Sequence, residues 1–164
     1  INMGTRSDII VQRKDGRFAR IYCHWDGYLE HNGQILFDHY NNHAKAESLT
    51  VLGNISSLAP IAECPAGHSF EHPVYGYCVA YGRDRGELNY NAKVFDSLAE
   101  AWPSEETWTE FTYVYLPKIG WLVASADQGS QALVPLDAAL RGEIDVEALI
   151  KVPFLGVIGR HKAI

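Results

Sequence analysis

The chain has 164 residues, 47% of them hydrophobic and 21% charged, which is the composition of an ordinary globular domain rather than of a disordered or membrane protein. No apolar run approaches the roughly 20 residues that a transmembrane helix needs, so we expect no membrane association. The net charge of −6 opposes direct nucleic-acid binding, because a local basic patch would act against the field of the whole protein.

The N-terminal region predicts a β-hairpin. Met3 is the expected native start, with residues 1–2 left over from cloning. The segments DIIVQR (8–13) and RFARIYCH (17–24) flank KDG, a Gly-containing connection typical of hairpin turns. Because side chains alternate along a strand, the second strand has two faces. One face carries Phe18, Arg20, Tyr22 and His24, and the other carries Ala19, Ile21 and Cys23.

Two short helices and a long loop are predicted next. Apolar residues recur at helical spacing over residues 35–40, with Asn32 as the candidate N-cap. A second helix over residues 43–52 is expected to stop at Gly53. Residues 54–73 contain three prolines and many small residues, which favours a long loop across the domain.

A central strand and an amphipathic helix are predicted in the middle of the chain. Residues 74–82 are rich in the aromatic and β-branched residues that favour strands. In residues 91–102, Val94, Leu98 and Trp102 lie one helical turn apart, which indicates a helix with one apolar face.

The C-terminal region predicts a second hairpin and further helix. The segments EFTYVYL (110–116) and GWLVASA (120–126) are two strand-like runs joined by a short turn. Residues 133–150 have a helical pattern in two pieces, broken at Gly142. Hairpins and helices without strict βαβ alternation predict an α+β fold: a single domain, residues 1–164, with a largely antiparallel sheet built from hairpins and helices packed on one face.

The cysteine and histidine residues raise the question of a metal site. Cys64, His68, His72 and Cys78 form the pattern C-x3-H-x3-H-x5-C, which lacks the close knuckle spacing of structural zinc sites. Cys78 lies in an apolar run, where it is expected to be a core residue. The three cysteines of the chain predict free thiols in a reducing compartment. We therefore expect no metal and no cofactor.

The charged segment YGRDRGE has two interpretations. Arg83 and Arg85 would hold a phosphate or carboxylate, with Glu87 as a base. Alternatively, the segment is a turn in which these groups and Asp84 pair with one another, and Gly86 supplies the backbone freedom.

The stretch IYCHWDGYLEHNG concentrates polar and aromatic residues after the second strand. Its glycines suit turns and need no ligand to explain them. Trp25 and Tyr28 are either exposed, as an aromatic surface of the kind found at binding hot spots, or buried as anchors of the turn. Because Cys23 and His24 point to opposite faces of the strand, they are not expected to form a catalytic pair. The candidate binding residues of this stretch are His24, Trp25, Asp26, Tyr28 and His31.

Four motifs together carry a resemblance: MGTRSDIIVQ, IYCHWDGYLEHNG, HSFEHP and AYGRDRGE. Over residues 3–126 the chain resembles a family of small proteins encoded by bacteriophages and prophages. Residues 127–164 lie outside the resemblance as a C-terminal helical extension. The resemblance implies the cytoplasm of a bacterial host, and it assigns no catalytic residue.

These observations lead to a leading hypothesis and an alternative. We expect a non-enzymatic phage accessory protein that binds a host or phage protein complex, as an inhibitor of an anti-phage defence system such as CRISPR. Its binding surface would combine Trp25, Asp26, Tyr28, Arg83, Asp84, Arg85 and Glu87. The alternative is a binder or hydrolase of a small anionic metabolite such as a nucleotide, clamped by Arg83 and Arg85 with His24 or Glu87 as acid or base. A structural role in the virion has no repeat or coiled-coil pattern in its favour.

Overall fold

Nine strands form one mixed β-sheet in the computed structural model, which describes residues 4–104, 108–125 and 132–149 and the backbone of residues 156–157. The strands are β1 (Ser7–Gln12), β2 (Phe18–Cys23), β3 (Ile55–Ser57), β4 (Val79–Ala80), β5 (Lys93–Phe95), β6 (Phe111–Leu116), β7 (Gly120–Ser125), β8 (Ala132–Pro135) and β9 (Gly156–Val157). The helices are α1 (Gln34–His39), α2 (His43–Val51), α3 (Tyr81–Arg85), α4 (Leu98–Ala101) and α5 (Leu136–Leu140). A π-helical turn (Leu29–Gly33) precedes α1, and a 3-10 helix (Val146–Ala148) follows α5.

The sheet has the strand order β4-β3-β2-β1-β6-β7-β8-β9, and β5 pairs with the beginning of β2. Pairing is parallel between β1 and β6, β2 and β3, and β8 and β9, and it is antiparallel elsewhere. Antiparallel pairs are the majority, which confirms the predicted α+β fold. In the described ranges, no helix has the length and hydrophobicity needed to cross a bilayer.

Both predicted hairpins are present. β1 pairs with β2 from Ser7 opposite Cys23 to Gln12 opposite Phe18. β6 and β7 form the second hairpin. The two hairpins lie side by side because β1 pairs with β6, with Asp8 opposite Thr112. These four strands form the middle of the sheet, and the candidate site lies toward its β4 edge.

Side-chain alternation gives the sheet two buried faces. Ile9 and Ile21 belong to the larger apolar cluster, on what we call the first face, whereas Ile10, Val114 and Leu122 belong to the smaller cluster on the second face. Burying one such side chain stabilises the fold by roughly 1.5–3 kcal/mol. The strands are therefore buried on both sides over the middle of the sheet.

Helices α1, α2 and α5 pack on the first face, where each buries a leucine: Leu36, Leu49 and Leu136. The short α4 contributes to the cluster on the second face. The predicted helix over residues 43–52 is confirmed. The Asn42 side chain accepts the N–H of Lys45 at 2.8 Å and caps its start, and Gly53, with φ of +72°, follows its end.

The predicted strand over residues 74–82 is wrong for most of its length. Only Val79–Ala80 form a strand, β4, and the helix α3 begins at Tyr81. The chain turns at this point because the Asp84 carboxylate accepts the N–H of Ala80 at 2.7 Å. Gly86, in the left-handed region with φ of +72°, then ends the helix.

The predicted helix over residues 91–102 is also largely wrong. Its first half forms β5, which pairs with β2, and α4 covers only Leu98–Ala101. The Ser97 hydroxyl accepts the N–H of Glu100 at 3.1 Å and caps this shorter helix. Pairing with the open side of β2 outweighs the helical spacing of Val94 and Leu98.

The helical prediction for residues 133–150 holds only in part. Ala132–Pro135 form β8, antiparallel to β7, so the predicted helical extension contributes a strand to the sheet. α5 follows this strand, and Gly142 has a φ of +73°, as expected of a helix break. Some predicted segments lie outside the described residues. They are the start of the chain at residues 1–3 and, in the C-terminal region, residues 126–131, 150–155 and 158–164.

One prediction near the candidate site is wrong, and another holds only in part. Asn32 is not an N-cap, because the helical segment begins at Leu29 and Asn32 is fully buried inside it. The long loop of residues 54–73 begins with a strand, β3, in which Ile55 pairs with Cys23 of β2.

Candidate functional site

The turn after β2 is held by buried hydrogen bonds. The Tyr113 hydroxyl donates to the Gly27 carbonyl at 2.6 Å, and the Gly27 N–H donates to the Thr5 carbonyl at 2.7 Å. A Cβ on Gly27 would lie 2.7 Å from Ser7 Cβ, so this position requires glycine. Asp26 has a φ of +57°, a left-handed conformation that aspartate tolerates better than most residues. The backbone of the turn is therefore fixed by its surroundings.

The buried side chain of Asn32 links the turn to the sheet by hydrogen bonds. Its Nδ2 donates to the Trp25 carbonyl and to Cys23 Sγ, both at 3.3 Å. Its Oδ1 lies 2.8 Å from His31 Nδ1 and so orients that ring. The positioning roles of Asn32 and Tyr113 carry no signal in the sequence, because they depend on contacts with distant strands.

His24 and Trp25 lie on the second face of the sheet. Tyr22 OH is 2.7 Å from His24 Nδ1, and the His24 and Trp25 rings meet edge to face with centroids 4.7 Å apart. Burial and the nearby Arg6 lower the pKa of His24, so the ring is neutral at pH 7 and shares a hydrogen bond with the Tyr22 hydroxyl. Trp25 is 42% exposed, and one side of its indole covers Gly4, where a Cβ would come within 2.4 Å.

Tyr28 and His31 lie on the other side of the turn, beside an apolar groove. Their rings are 6.1 Å apart, and Tyr28 is 38% exposed. The groove has a volume of about 480 Å³ and runs between residues 57–60 and residues 73–77. Its walls consist of His31, Ile35, Ser57, Leu58, Ala59, Pro60, Pro73, Val74, Tyr75, Gly76, Tyr77 and Val79. Tyr75 on its wall is completely exposed.

Asp84 is the centre of an ionic network at the sheet edge. Its side chain is fully buried and accepts hydrogen bonds from Arg83 Nε at 2.8 Å and from Ala80 N at 2.7 Å. Burial acts to raise the pKa of Asp84, but the hydrogen bonds from Arg83 and from the Ala80 N–H outweigh it and hold the pKa below its ordinary value. The carboxylate is therefore ionised and satisfied within the fold.

The same network also binds backbone carbonyls next to β4. Arg83 donates through its two terminal nitrogens to the carbonyls of Ala62 at 2.5 Å and Cys78 at 2.9 Å. His68 Nδ1 accepts the N–H of Val74, so its proton lies on Nε2, which faces the Cys78 carbonyl at 3.1 Å and Asp84 at 3.3 Å. These contacts are those of a self-satisfied turn, and they occupy the groups that an anion clamp would use.

Arg85 and Glu87 form a second, more exposed pair. Arg85 Nη2 lies 2.5 Å from the Glu87 carboxylate, and its guanidinium stacks over the rings of Phe70, at 4.1 Å, and Tyr81, at 5.0 Å. Burial raises the pKa of Tyr81, and a hydrogen bond with the Ser56 side chain opposes this rise. The Ser56 carbonyl accepts the N–H of Trp25 at 3.0 Å.

The predicted site residues therefore divide into three groups. Trp25 is linked to Arg85 only indirectly: the Ser56 carbonyl accepts the Trp25 N–H, the Ser56 side chain hydrogen-bonds Tyr81, and the Arg85 guanidinium lies over the Tyr81 ring. Tyr28 and His31 border the groove, with Asp26 in the turn between the two sides. The Asp84 carboxylate is buried at the sheet edge, and Arg83 lies over it with its guanidinium bonded to backbone carbonyls.

The two cysteines considered for zinc have other partners. Cys78 is buried, and its Sγ accepts the N–H of Ala59 at 3.2 Å. Cys64 is exposed, and its Sγ lies 3.9 Å from Asp84 Oδ1. Within the described ranges, no group of three or more His, Cys, Asp or Glu residues converges on a metal position.

Burial raises the pKa of Cys23 to about 12, so its thiolate does not form at neutral pH.

Comparison of the chain with protein-family models, with curated proteins and with solved structures finds no match.

Proposed function

We propose that the protein is a phage or prophage accessory protein that binds a partner protein in the host cytoplasm through the turn after β2. One observation carries this proposal. Trp25 and Tyr28 stay solvent-exposed, although buried hydrogen bonds fix the turn that presents them. A rigid turn with exposed aromatic side chains binds at low entropic cost, because little has to be ordered on association.

The class of partner follows from the resemblance to phage-encoded proteins. Small acidic accessory proteins of phages are often inhibitors of host defence systems, so we propose a component of an anti-phage defence system as the partner, as for an anti-CRISPR protein. The net charge of −6 favours a basic partner surface through electrostatic steering.

The alternative, a nucleotide-like ligand held by Arg83 and Arg85, has less support. Both guanidiniums already pair with carboxylates, those of Asp84 and Glu87, which an anion would have to displace. Calorimetry with nucleotides tests it directly. If wild type gives heats of nucleotide binding that disappear in the Arg83→Ala and Arg85→Ala variants, the small-ligand function is correct and our proposal is wrong.

Affinity capture from a bacterial host lysate tests partner binding. We expect one stoichiometric partner, whose affinity falls at least tenfold in Trp25→Ala, as is typical of an aromatic hot spot. Val51→Ala is the matched control, because Val51 is 84% exposed on α2. A partner that binds wild type, Trp25→Ala and Tyr28→Ala equally, or the absence of any partner, would contradict the proposal.

A further inference from the structure

We infer that Arg6 and His24 form a binding site for an oxyanion, the phosphate or carboxylate group of a ligand, beside the ring of Trp25. The inference goes beyond the proposed function and involves neither Arg83 nor Arg85, which already pair with carboxylates. It is carried by an arginine side chain without a partner, close to an imidazole nitrogen that also has none.

The side chain of Arg6 differs from those of the other arginines that the structure describes. Arg20 donates to the Ala101 carbonyl at 2.7 Å and lies over the ring of Phe95. Salt bridges to carboxylates engage Arg13, Arg17, Arg83, Arg85 and Arg141. Arg6 is only partly exposed, and its guanidinium makes neither a salt bridge nor a hydrogen bond to any of the described residues. A partly buried charge without a counter-ion favours the binding of an anion, because pairing offsets the cost of desolvation.

The acidic residues around Arg6 leave this charge unpaired. Arg6 and Glu110 stand just before β1 and β6, which pair in parallel, and the Glu110 N–H donates to the Arg6 carbonyl at 2.8 Å. That bond joins the two backbones, and no salt bridge joins the two side chains. Asp8 follows on the same face of β1, where the cation that lowers its pKa is Arg20. In the described part of the fold, Arg6 therefore has no counter-ion in contact.

The charge of Arg6 lies close to His24. It lowers the pKa of His24, and it opposes the rise in the pKa of Tyr22. The chain before β1 also runs along the turn: a Cβ on Gly4 would overlap the Trp25 ring and lie 3.0 Å from the His24 carbonyl oxygen. Guanidinium and imidazole are therefore neighbours on the second face of the sheet.

His24 offers one ring nitrogen to a ligand. Nδ1 shares a 2.7 Å hydrogen bond with the Tyr22 hydroxyl, whereas Nε2 has no hydrogen-bond partner among the described residues. When the hydroxyl donates to Nδ1, the ring proton lies on Nε2, and a protonated ring carries a proton there in every case. An anion that accepts from Nε2 and from Arg6 also offsets the repulsion that lowers the pKa of His24.

The chemistry of these donors defines the class of ligand. Arginine binds phosphate and carboxylate groups through parallel N–H donors, and hydrogen bonds to an ionised acceptor are stronger than neutral ones. Trp25 is 42% exposed, and its ring centroid lies 4.7 Å from that of His24, so it offers an apolar surface to the rest of the ligand. The net charge of −6 opposes an anion at long range, so binding depends on direct bonds to these two side chains.

NMR titration of the full-length protein with inorganic phosphate and with acetate tests the inference. We expect the His24 ring and Trp25 indole signals to shift saturably with at least one of these anions. The affinity should fall about tenfold or more in Arg6→Gln. Arg13→Gln is the matched control, because Arg13 is an exposed arginine just after β1, and it should bind as wild type does. Without any anion, Arg6→Gln should raise the pKa of His24, because the repulsion by Arg6 is gone.

Three outcomes would overturn the inference: no saturable shift with either anion, equal affinities of wild type and Arg6→Gln, and a pKa of His24 that Arg6→Gln leaves unchanged. An unchanged Tm of Arg6→Gln excludes unfolding as the cause of a loss.

Lysate capture then identifies the source of the oxyanion. If Arg6→Gln weakens capture as Trp25→Ala does, the oxyanion belongs to the partner protein. If anions bind while capture depends on Trp25 alone, the oxyanion belongs to a small ligand, and both proposals stand. If anions bind through Arg6 while capture ignores Trp25, the oxyanion site stands and the proposed function fails.

Discussion

The buried carboxylate of Asp8 makes the stability of the fold depend on pH. Asp8 is 3% exposed and lies on the second face, opposite Thr112 of β6. Within the part of the chain that the structure describes, Asp8 Oδ2 and the Thr112 hydroxyl have no hydrogen-bond partner. Burial raises the pKa of Asp8 from 3.8 to about 6, and the Thr109 hydroxyl and Arg20 oppose that rise.

We predict that Asp8→Asn stabilises the protein at neutral pH. The carboxyl ionises near pH 3.8 in the unfolded chain but keeps its proton up to about pH 6 in the folded one. Its contribution to stability is therefore complete below pH 3.8 and is lost as the pH rises toward 6. At about 1.4 kcal/mol per pKa unit, the loss amounts to about 3 kcal/mol by pH 7. Asparagine has a similar shape and does not titrate, so it avoids this loss.

Urea denaturation of wild type and Asp8→Asn from pH 4 to pH 8 measures the effect. The difference between their free energies of unfolding should grow by about 2.4 kcal/mol between pH 4 and pH 7, equivalent to about 5–10 °C in Tm. Asp15→Asn is the control with the opposite sign. Hydrogen bonds from Arg17 lower the pKa of Asp15, so its contribution to stability is lost as the pH falls. A difference between Asp8→Asn and wild type that does not change with pH would refute the reasoning.

Three further substitutions test the contacts that shape the site. Tyr113→Phe leaves the buried Gly27 carbonyl without its 2.6 Å hydrogen bond, so urea denaturation should show a loss of about 1–3 kcal/mol, and wild-type stability would contradict this role. Asp84→Ala leaves the buried Ala80 N–H without its 2.7 Å acceptor, so we expect thermal unfolding to show a loss of about 1–3 kcal/mol, and wild-type stability would count against a satisfied network. Gly53→Ala places a Cβ 2.2 Å from the Tyr90 carbonyl oxygen, so it should lower Tm more than Gly16→Ala, where nothing lies within 4 Å; equal Tm values would argue against this close contact.

The candidate site was predictable in its residue types but not in its arrangement. Trp25 and Tyr28 stood out in the sequence because tryptophan and tyrosine are enriched at binding hot spots. Their exposure depends on Asn32 and Tyr113, which look like ordinary helix and strand residues until the strands that they contact are known. The groove could not be predicted, because its two walls come from segments that neither periodicity nor motif links.

The charged segment shows the same division. Arg83 and Asp84 indicated either a clamp or a self-paired turn, and spacing does not distinguish the two. The choice depends on which carbonyls lie within reach, and those belong to Ala62 and Cys78. Only the folded chain brings these groups together.

Local patterns in the sequence determined both hairpins and the helix from His43 to Val51, because alternation, turn glycines and the Asn42 cap act between near neighbours. The tertiary structure alone decided that residues 93–95 form a strand and that β1 pairs with β6 across about 100 residues of chain. The physical reason is that open strand edges and buried polar groups take whichever partners the packing brings within hydrogen-bonding distance. These hydrogen bonds outweigh a helix propensity that is worth only a few tenths of a kcal/mol per residue.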